Sequence, residues 1–599
     1  MKAEARRLAD ASALRPSLVA GGIIVLAVVA AYHNSFQGPF FFDDRVSITD
    51  NPSIQHLWPI GPVLHPPPEA HGVVGRPLFN LSLAINYAIS GTGVGSYHAV
   101  NLVIHILAAL TLFGVMRRTL AGHGGVAFAV ALIWALHPLQ TEAVTYVSQR
   151  AESLMGLFYL LTLYCFIRKV DAASGRVPPR EAARCRFYVQ GGDVWAWLSV
   201  LACFLGMATK EVMVTAPVIV LLYDRTFLSG SFRAAVRRHG RVYLGLVATW
   251  LFLGYQMSEF SAAARPSIGL GVAGSWWLYP LTECRVIVKY LGLALWPNPL
   301  VFDYGIWAAR GGWDLAPDVA IVVLLAAATA YALFSRRFPS LRPLGFAGAW
   351  FFIILSPTSS VVAVSSQPMA EHRMYLPLAG VVALAVVGGY ALLGRWLRPS
   401  IRPAAGGGIL AVVALACGGL TVARNEDYRS ELAMWKETIA RCPTSDRAHG
   451  NLGLVLADQE RWPEAIAEYQ EALRLAPDLV EVRYNLGYAL FRSGRLPEAA
   501  AAYAQVVRQK PDYADAYNNL GNVLAEEGQW LDAIAAYQQV LRLRPDTIQA
   551  HYNLGMVFAQ LGRTAEAVNE FEAALRLNPG DPGIQASLAQ VLRQQNPSP

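Results

Sequence analysis

Apolar runs of about 18 to 22 residues recur from near the N-terminus to about residue 424, and no other feature limits the fold so strongly. Each run is long enough to cross a hydrocarbon core of about 30 Å as a helix. The composition agrees, because 54% of residues are hydrophobic and only 15% are charged. Beyond residue 424 the sequence turns charged and periodic. The expected class is therefore all-α, in two parts: a polytopic helix bundle over residues 1–424 and a helical solenoid over 425–599.

Candidate spans fall near 17–35, 98–116, 124–139, 151–168, 194–209, 212–228, 242–259, 317–335, 343–362, 376–394 and 407–424, about eleven in all. No small-residue cleavage site follows the first, so it reads as a retained helix and not a signal peptide. Lys2, Arg6, Arg7 and Arg15 precede it and place the N-terminus in the cytoplasm. The later basic clusters fall on that same side: Arg117/Arg118, Arg168/Lys169 with Arg176 to Arg186, Arg225 with Arg233 to Arg241, Arg336/Arg337/Arg342, and Arg395/Arg398/Arg402. An odd number of spans then leaves everything after Arg424 outside. The broken apolar stretch 275–302, carrying Glu283, Arg285 and Lys289, reads as an amphipathic surface helix, since a further span would reverse the later clusters. A net charge of +7 gathered in such clusters sets topology and gives no nucleic-acid surface. The six cysteines, Cys185 among them, show no CxxC pair or metal-ligand spacing.

Residues 445–580 repeat with a period of 34. Asn-Leu-Gly begins at Asn451, Asn485, Asn519 and Asn553, and Pro477, Pro511, Pro545 and Pro579 close the units. This is the tetratricopeptide period. Ala465, Ala499, Ala533 and Ala567 form a small column that lets helices pack closely, and Tyr469, Tyr503, Tyr537 and Phe571 fill the space beside it. The recurring asparagines could line a concave groove and bond an extended peptide backbone, since an amide both donates and accepts.

Five charged groups map to the outer ends of the spans: Asp43/Asp44; Arg76; His137 with Glu142, Arg150 and Glu152; Lys210/Glu211; and Glu371/His372/Arg373. Asp43 and Asp44 stand between Phe40, Phe41 and Phe42 and Arg45, just after the first span, where aromatics are expected and acids are not. The loop they open, 36–97, holds Trp58, the proline run 66–68 and an amphipathic segment, 79–89, suited to the outer membrane surface. Arg76, Arg150, Lys210 and Arg373 would suit a phosphate at headgroup level. Were the 42–45 segment extended, the two carboxylates would point to opposite faces, leaving Asp44 to orient Arg76 or position an acceptor.

Phe-Asp-Asp at 42–44 with Asn51-Pro52, Arg-Pro-Leu at 76–78, Tyr97-His98 with Asn101 and His105, His-Pro-Leu-Gln-Thr-Glu-Ala-Val at 137–144, Lys210-Glu211, and Glu-His-Arg-Met-Tyr-Leu-Pro at 371–377 follow one order. In that order the chain resembles the transmembrane and tetratricopeptide-repeat-containing O-mannosyltransferases, membrane glycosyltransferases of the GT-C fold class. The resemblance covers nearly the whole chain and suits a bacterial relative, in a bacterial cytoplasmic membrane or the endoplasmic reticulum. It implies inverting transfer of a mannose-like sugar from a polyprenyl or dolichyl phosphate to a Ser/Thr hydroxyl of a protein held by the repeats, with Asp43 the first choice for the base. Arg76, Arg150, Lys210 and Arg373 would then meet the donor phosphate, and His137, Glu142, Glu211, Glu371 and His372 would shape the site. Some GT-C enzymes use a divalent metal, though no cluster here demands one. Two other functions compete: a transporter of lipid-linked sugars would gather its polar groups at the bilayer midplane, and a repeat scaffold would need no outer charges.

Overall fold

The computed structural model describes residues 2–67, 70, 72–173, 191–263, 278–305, 312–357 and 369–595. Among these every regular element is helical. The basic cluster 176–186, Cys185, Pro68, residues 275–277 and the end of the 343–362 span lie outside the described residues. The chain separates into two compact units, Met1–Met434 and Trp435–Pro599.

Among the described residues of the first unit six helices are long and apolar enough to cross a membrane: Pro16–Gln37, Val94–Thr119, Val147–Ala172, Ala316–Phe334, Pro377–Trp396 and Arg402–Asp427. A bent pair, Gly124–Leu136 and Pro138–Thr145, broken by 55°, makes a seventh if it counts as one span. The expectation of about eleven is not confirmed among the described residues, where several apolar runs do not form one straight helix. Gly192–Met207 is short, Ala216–Tyr223 gives way to a π-turn at Asp224, and Arg342–Ser356 has 15 residues. Phe232–Ala263 carries arginines in its first turns and bends at His239.

Two expected amphipathic helices are present. Pro77–Ser90 buries Phe79, Leu83 and Ala84 and leaves Ile85 and Ile89 exposed. Leu278–Leu295 buries Glu283, Val286, Tyr290 and Leu293, spaced three or four residues apart as one helix face requires. Elsewhere small residues set close helix crossings. A Cβ at Gly345 would fall on the backbone of Leu333, so Arg342–Ser356 lies tight against Ala316–Phe334.

The second unit stacks helical pairs: Asp446–Asp458 with Trp462–Leu475, Val480–Arg492 with Leu496–Gln509, Ala514–Glu526 with Trp530–Leu543, and Ile548–Gln560 with Thr564–Leu577, closed by Pro582–Gln595. The glycine of each Asn-Leu-Gly exists for its partner's ring. A Cβ at Gly453, Gly487, Gly521 or Gly555 would lie within 2.6–2.9 Å of Tyr469, Tyr503, Tyr537 or Phe571, the aromatic column of the second helices. The alanine column is fully buried, as close packing demands.

The turn between the two helices of a pair needs a left-handed residue. Gly494, Gly528 and Gly562 supply it at φ 73°, 75° and 68°, but the first pair holds Glu460 there at φ 57°. A non-glycine residue in that region costs about 1–2 kcal/mol. Glu460→Gly should therefore stabilise the repeat unit by about 1 kcal/mol, net of the added chain entropy. Urea unfolding of residues 435–599 checks this, and an unchanged or lower midpoint would contradict it.

Candidate functional site

The loop at the end of the first span turns sharply at Phe42, whose φ of +49° is rare for a bulky residue. The chain then enters a helical turn that continues into a π-turn, Arg45–Thr49. The segment is thus helical and the extended alternative does not hold, for Asp44 sits at φ −65°, ψ −34°. The two carboxylates still part, since successive helical residues are about 100° apart around the axis. Asp43 is exposed and Asp44 is fully buried.

Asp44 ties the loop down. Its Oδ1 accepts from the Ser148 N–H at 2.6 Å, with a longer contact of 3.5 Å from the Phe41 N–H to Oδ2. Burial pushes its carboxyl up to about 8, and those donors only partly offset the rise. Of the two tasks expected for Asp44, orienting Arg76 or positioning an acceptor, the first is corrected, because Arg76 instead faces Glu211 at 3.7 Å.

Around this loop stands an aromatic wall. Phe41 stacks on Tyr146 at 4.9 Å and meets Phe302 and Tyr428 at 5.9 Å each. The Tyr146 hydroxyl accepts from the Asp43 N–H at 2.9 Å, which fixes the backbone beneath the exposed carboxylate. Arg45 pairs with Glu431 at 3.1 Å, joining the loop to the helix that follows the last span. Tyr146, Ser148, Phe302 and Tyr428 were missed by sequence reasoning. Their positions near span ends carry no mark beyond an aromatic or a serine, and only packing reveals them.

The other expected site charges meet in pairs across the sequence. His372 Nδ1 lies 2.8 Å from Glu142 Oε1, and its N–H donates to Oε2 at 2.8 Å. Lys210 pairs with Glu152 at 2.5 Å, both buried. Glu371 Oε1 accepts from the Val301 N–H at 2.7 Å and the Tyr304 hydroxyl at 2.9 Å, and Arg424 Nη2 lies 3.3 Å from Oε2. Burial, against the pull of Arg424, holds the Glu371 carboxyl above its usual range. Arg424, which the sequence reading used only as the end of a span, also bonds Asp427 at 2.8 Å and lies over the Tyr428 ring. Arg373 is nearly buried and, with Arg76 and Lys210, is close enough to draw the Glu211 carboxyl down despite its desolvation.

Two expected site residues are structural. Arg150 is fully buried, and its guanidinium donates to Asn101 Oδ1, Ser82 O, Asn86 Oδ1 and Tyr97 O at 2.6–3.1 Å. That leaves it no reach to a donor phosphate, so its assignment as a phosphate ligand is corrected. Both ring nitrogens of His137 meet backbone, the Leu139 N–H and Ala294 O, each at 3.2 Å. In the repeats, Asn519 donates to the Tyr484 hydroxyl at 2.8 Å, and Asn553 donates to Asn522 and accepts from Gln549. These two asparagines tie neighbouring repeats together, and all four, Asn451 and Asn485 included, are half-buried. Among the described residues no three His, Cys, Asp or Glu side chains are grouped to hold a metal ion.

Two outcomes follow. An unfolded Asp releases its proton near pH 4 and folded Asp44 near 8, so the native state holds an extra proton between them. Stability should fall as pH rises through that window, and Asp44→Asn should flatten the slope in thermal unfolding from about pH 5 to 8. Arg150→Met, which strands four buried acceptors, should cost about 3 kcal/mol or more in the same assay. A variant that stayed stable and lost only donor binding would return Arg150 to the phosphate set.

A tetratricopeptide repeat family model matches residues 419–480, 451–514, 484–546 and 518–582. Protein O-mannosyl-transferase F38B6.6 of Caenorhabditis elegans is 25% identical over 451 residues, 72% of this chain and 59% of its own length. Protein O-mannosyl-transferase TMTC4 of Homo sapiens is 26% identical over 501 residues, 74% of this chain and 64% of its own. The chain thus spans about three fifths of the length of these relatives. A solved structure of MamA, 27% identical, superposes at a TM-score of 0.24 over 25% of this chain and 86% of its own. Over most of its length the chain is similar to proteins named protein O-mannosyl-transferases, and its C-terminal part matches tetratricopeptide repeats.

Proposed function

We propose that the chain is a membrane glycosyltransferase of the GT-C type, moving mannose from a polyprenyl phosphate to a hydroxyl of a protein. The observation that carries this is the Asp43 carboxylate, exposed on a loop that buried Asp44 and the Tyr146 hydroxyl hold in place. Asp43 takes the proton of the acceptor hydroxyl as that oxygen attacks the anomeric carbon. The bond from that carbon to the phosphate oxygen breaks with inversion, and the lipid phosphate leaves. Arg76, half-exposed, with Lys210 and Arg373 beside it, offsets the charge that develops on the phosphate.

A donor of this kind also needs an apolar place for its tail. A cavity of about 1110 Å³ lies among Gly124–Leu136, Pro377–Trp396 and Arg402–Asp427, lined mostly by apolar side chains. Its lining includes Ala294 and His137, which is five residues before Glu142. The repeat unit is suited to hold an extended acceptor segment, as solenoids of helical pairs present a concave face.

Purified chain given radiolabelled polyprenyl-phosphate mannose and a Ser/Thr-rich peptide should label the peptide. Asp43→Asn should lower that rate by about 10² to 10⁴, with unchanged thermal stability and donor binding. Full turnover by Asp43→Asn would remove this loop from catalysis, and labelling of no peptide or protein would sink the transferase reading.

A further inference from the structure

The end of the Ala316–Phe334 span meets the start of the Phe232–Ala263 helix in a way that setting topology does not require. Arg225 is buried between two rings, 4.9 Å from Phe232 and 5.0 Å from Phe334, and its Nη1 donates to Leu333 O at 2.8 Å. Arg342 Nη1 reaches Gly230 O at 3.4 Å. These bonds join two turns that are about 100 residues apart in sequence, 229–232 and 335–342.

On the joined turns and the first turns of the Phe232–Ala263 helix stand six arginines. Arg233, Arg237, Arg238, Arg336 and Arg337 are exposed and Arg342 is half-exposed. No Asp or Glu occurs in 225–245 or 333–348, and the acid just before them, Asp224, is buried with its Oδ2 on His239 and the Tyr243 hydroxyl. The cations are therefore not balanced from their own elements. Apolar side chains stand among them: Phe232 is 37% exposed, Val236 52%, Phe334 52% and Phe338 43%. Phe334 is the last residue of a span, so these groups lie at the level where acyl chains end and headgroups begin.

We propose that the joined turns form a binding surface for anionic phospholipid headgroups, the guanidinium groups on the phosphates and the exposed rings on the adjoining acyl chains. Guanidinium forks suit phosphate oxygens bidentately, and the aromatic residues hold the site at interface depth. The buried Arg225 keeps the two turns in register, so that two separate helices act on one patch of headgroups.

The test uses the full chain in phosphatidylcholine bilayers carrying trace spin-labelled phosphatidylglycerol or spin-labelled phosphatidylcholine. The motionally restricted fraction gives each lipid's relative association with the protein. The natural chain should prefer phosphatidylglycerol, less so at high salt. Arg233→Gln/Arg237→Gln/Arg336→Gln/Arg337→Gln should weaken that preference about tenfold or more while leaving the phosphatidylcholine signal unchanged. Equal preference in both chains would overturn the proposal. So would full competition by inorganic phosphate, or by an acidic peptide or oligonucleotide at lower concentration than the lipid, because the surface would then serve a different ligand.

Discussion

Burying charge at the end of a membrane helix is costly unless an opposite charge or a set of dipoles meets it, and the half of the first unit that holds Asp43 and Asp44 is arranged around that demand. Lys210 finds Glu152, His372 finds Glu142, and Arg424 finds Glu371. Arg150 finds four neutral acceptors instead. Each contact spans a long stretch of sequence, so satisfying the charges also fixes which helices are neighbours. Asp43, two residues before the Arg45 that holds Glu431, is exposed.

Much of the fold was readable because its signals are local. A 34-residue period gives the solenoid, and apolar spacing gives the Pro77–Ser90 and Leu278–Leu295 helices. The number of spans was not, since an apolar run does not report where a helix breaks. Ala216–Tyr223 ends in a π-turn within what reads as one run. For the site, the sequence singled out Asp43 and Asp44, and their contrast in burial could be anticipated only by assuming a conformation that the chain does not adopt. Arg150 looked like a phosphate ligand because a cation at a span end is all the sequence displays. Its four acceptors lie 49 to 68 residues away and become visible only when the helices pack.

The repeats show the same division. Asn519 and Asn553 recur at groove-facing spacing, yet each is bonded to a neighbouring first helix. A polar ladder inside a solenoid can serve the stacking of units as well as a ligand, and periodicity cannot tell the two apart. The glycine column is less ambiguous, for a ring packs on each one.

The wall around Asp43 has an authorship that sequence order hides. Tyr428 packs on Phe41, and Glu431 holds Arg45, although both follow the last span and lie before the first helix of the repeats, which begins at Asp446. The compact membrane unit accordingly runs on to Met434. A chain cut where the apolar composition ends, at 424, would lose not only the solenoid but also one side of the loop that carries the carboxylates. Loss of function after such a cut would say nothing about the repeats, whereas a cut after 434 would separate the two.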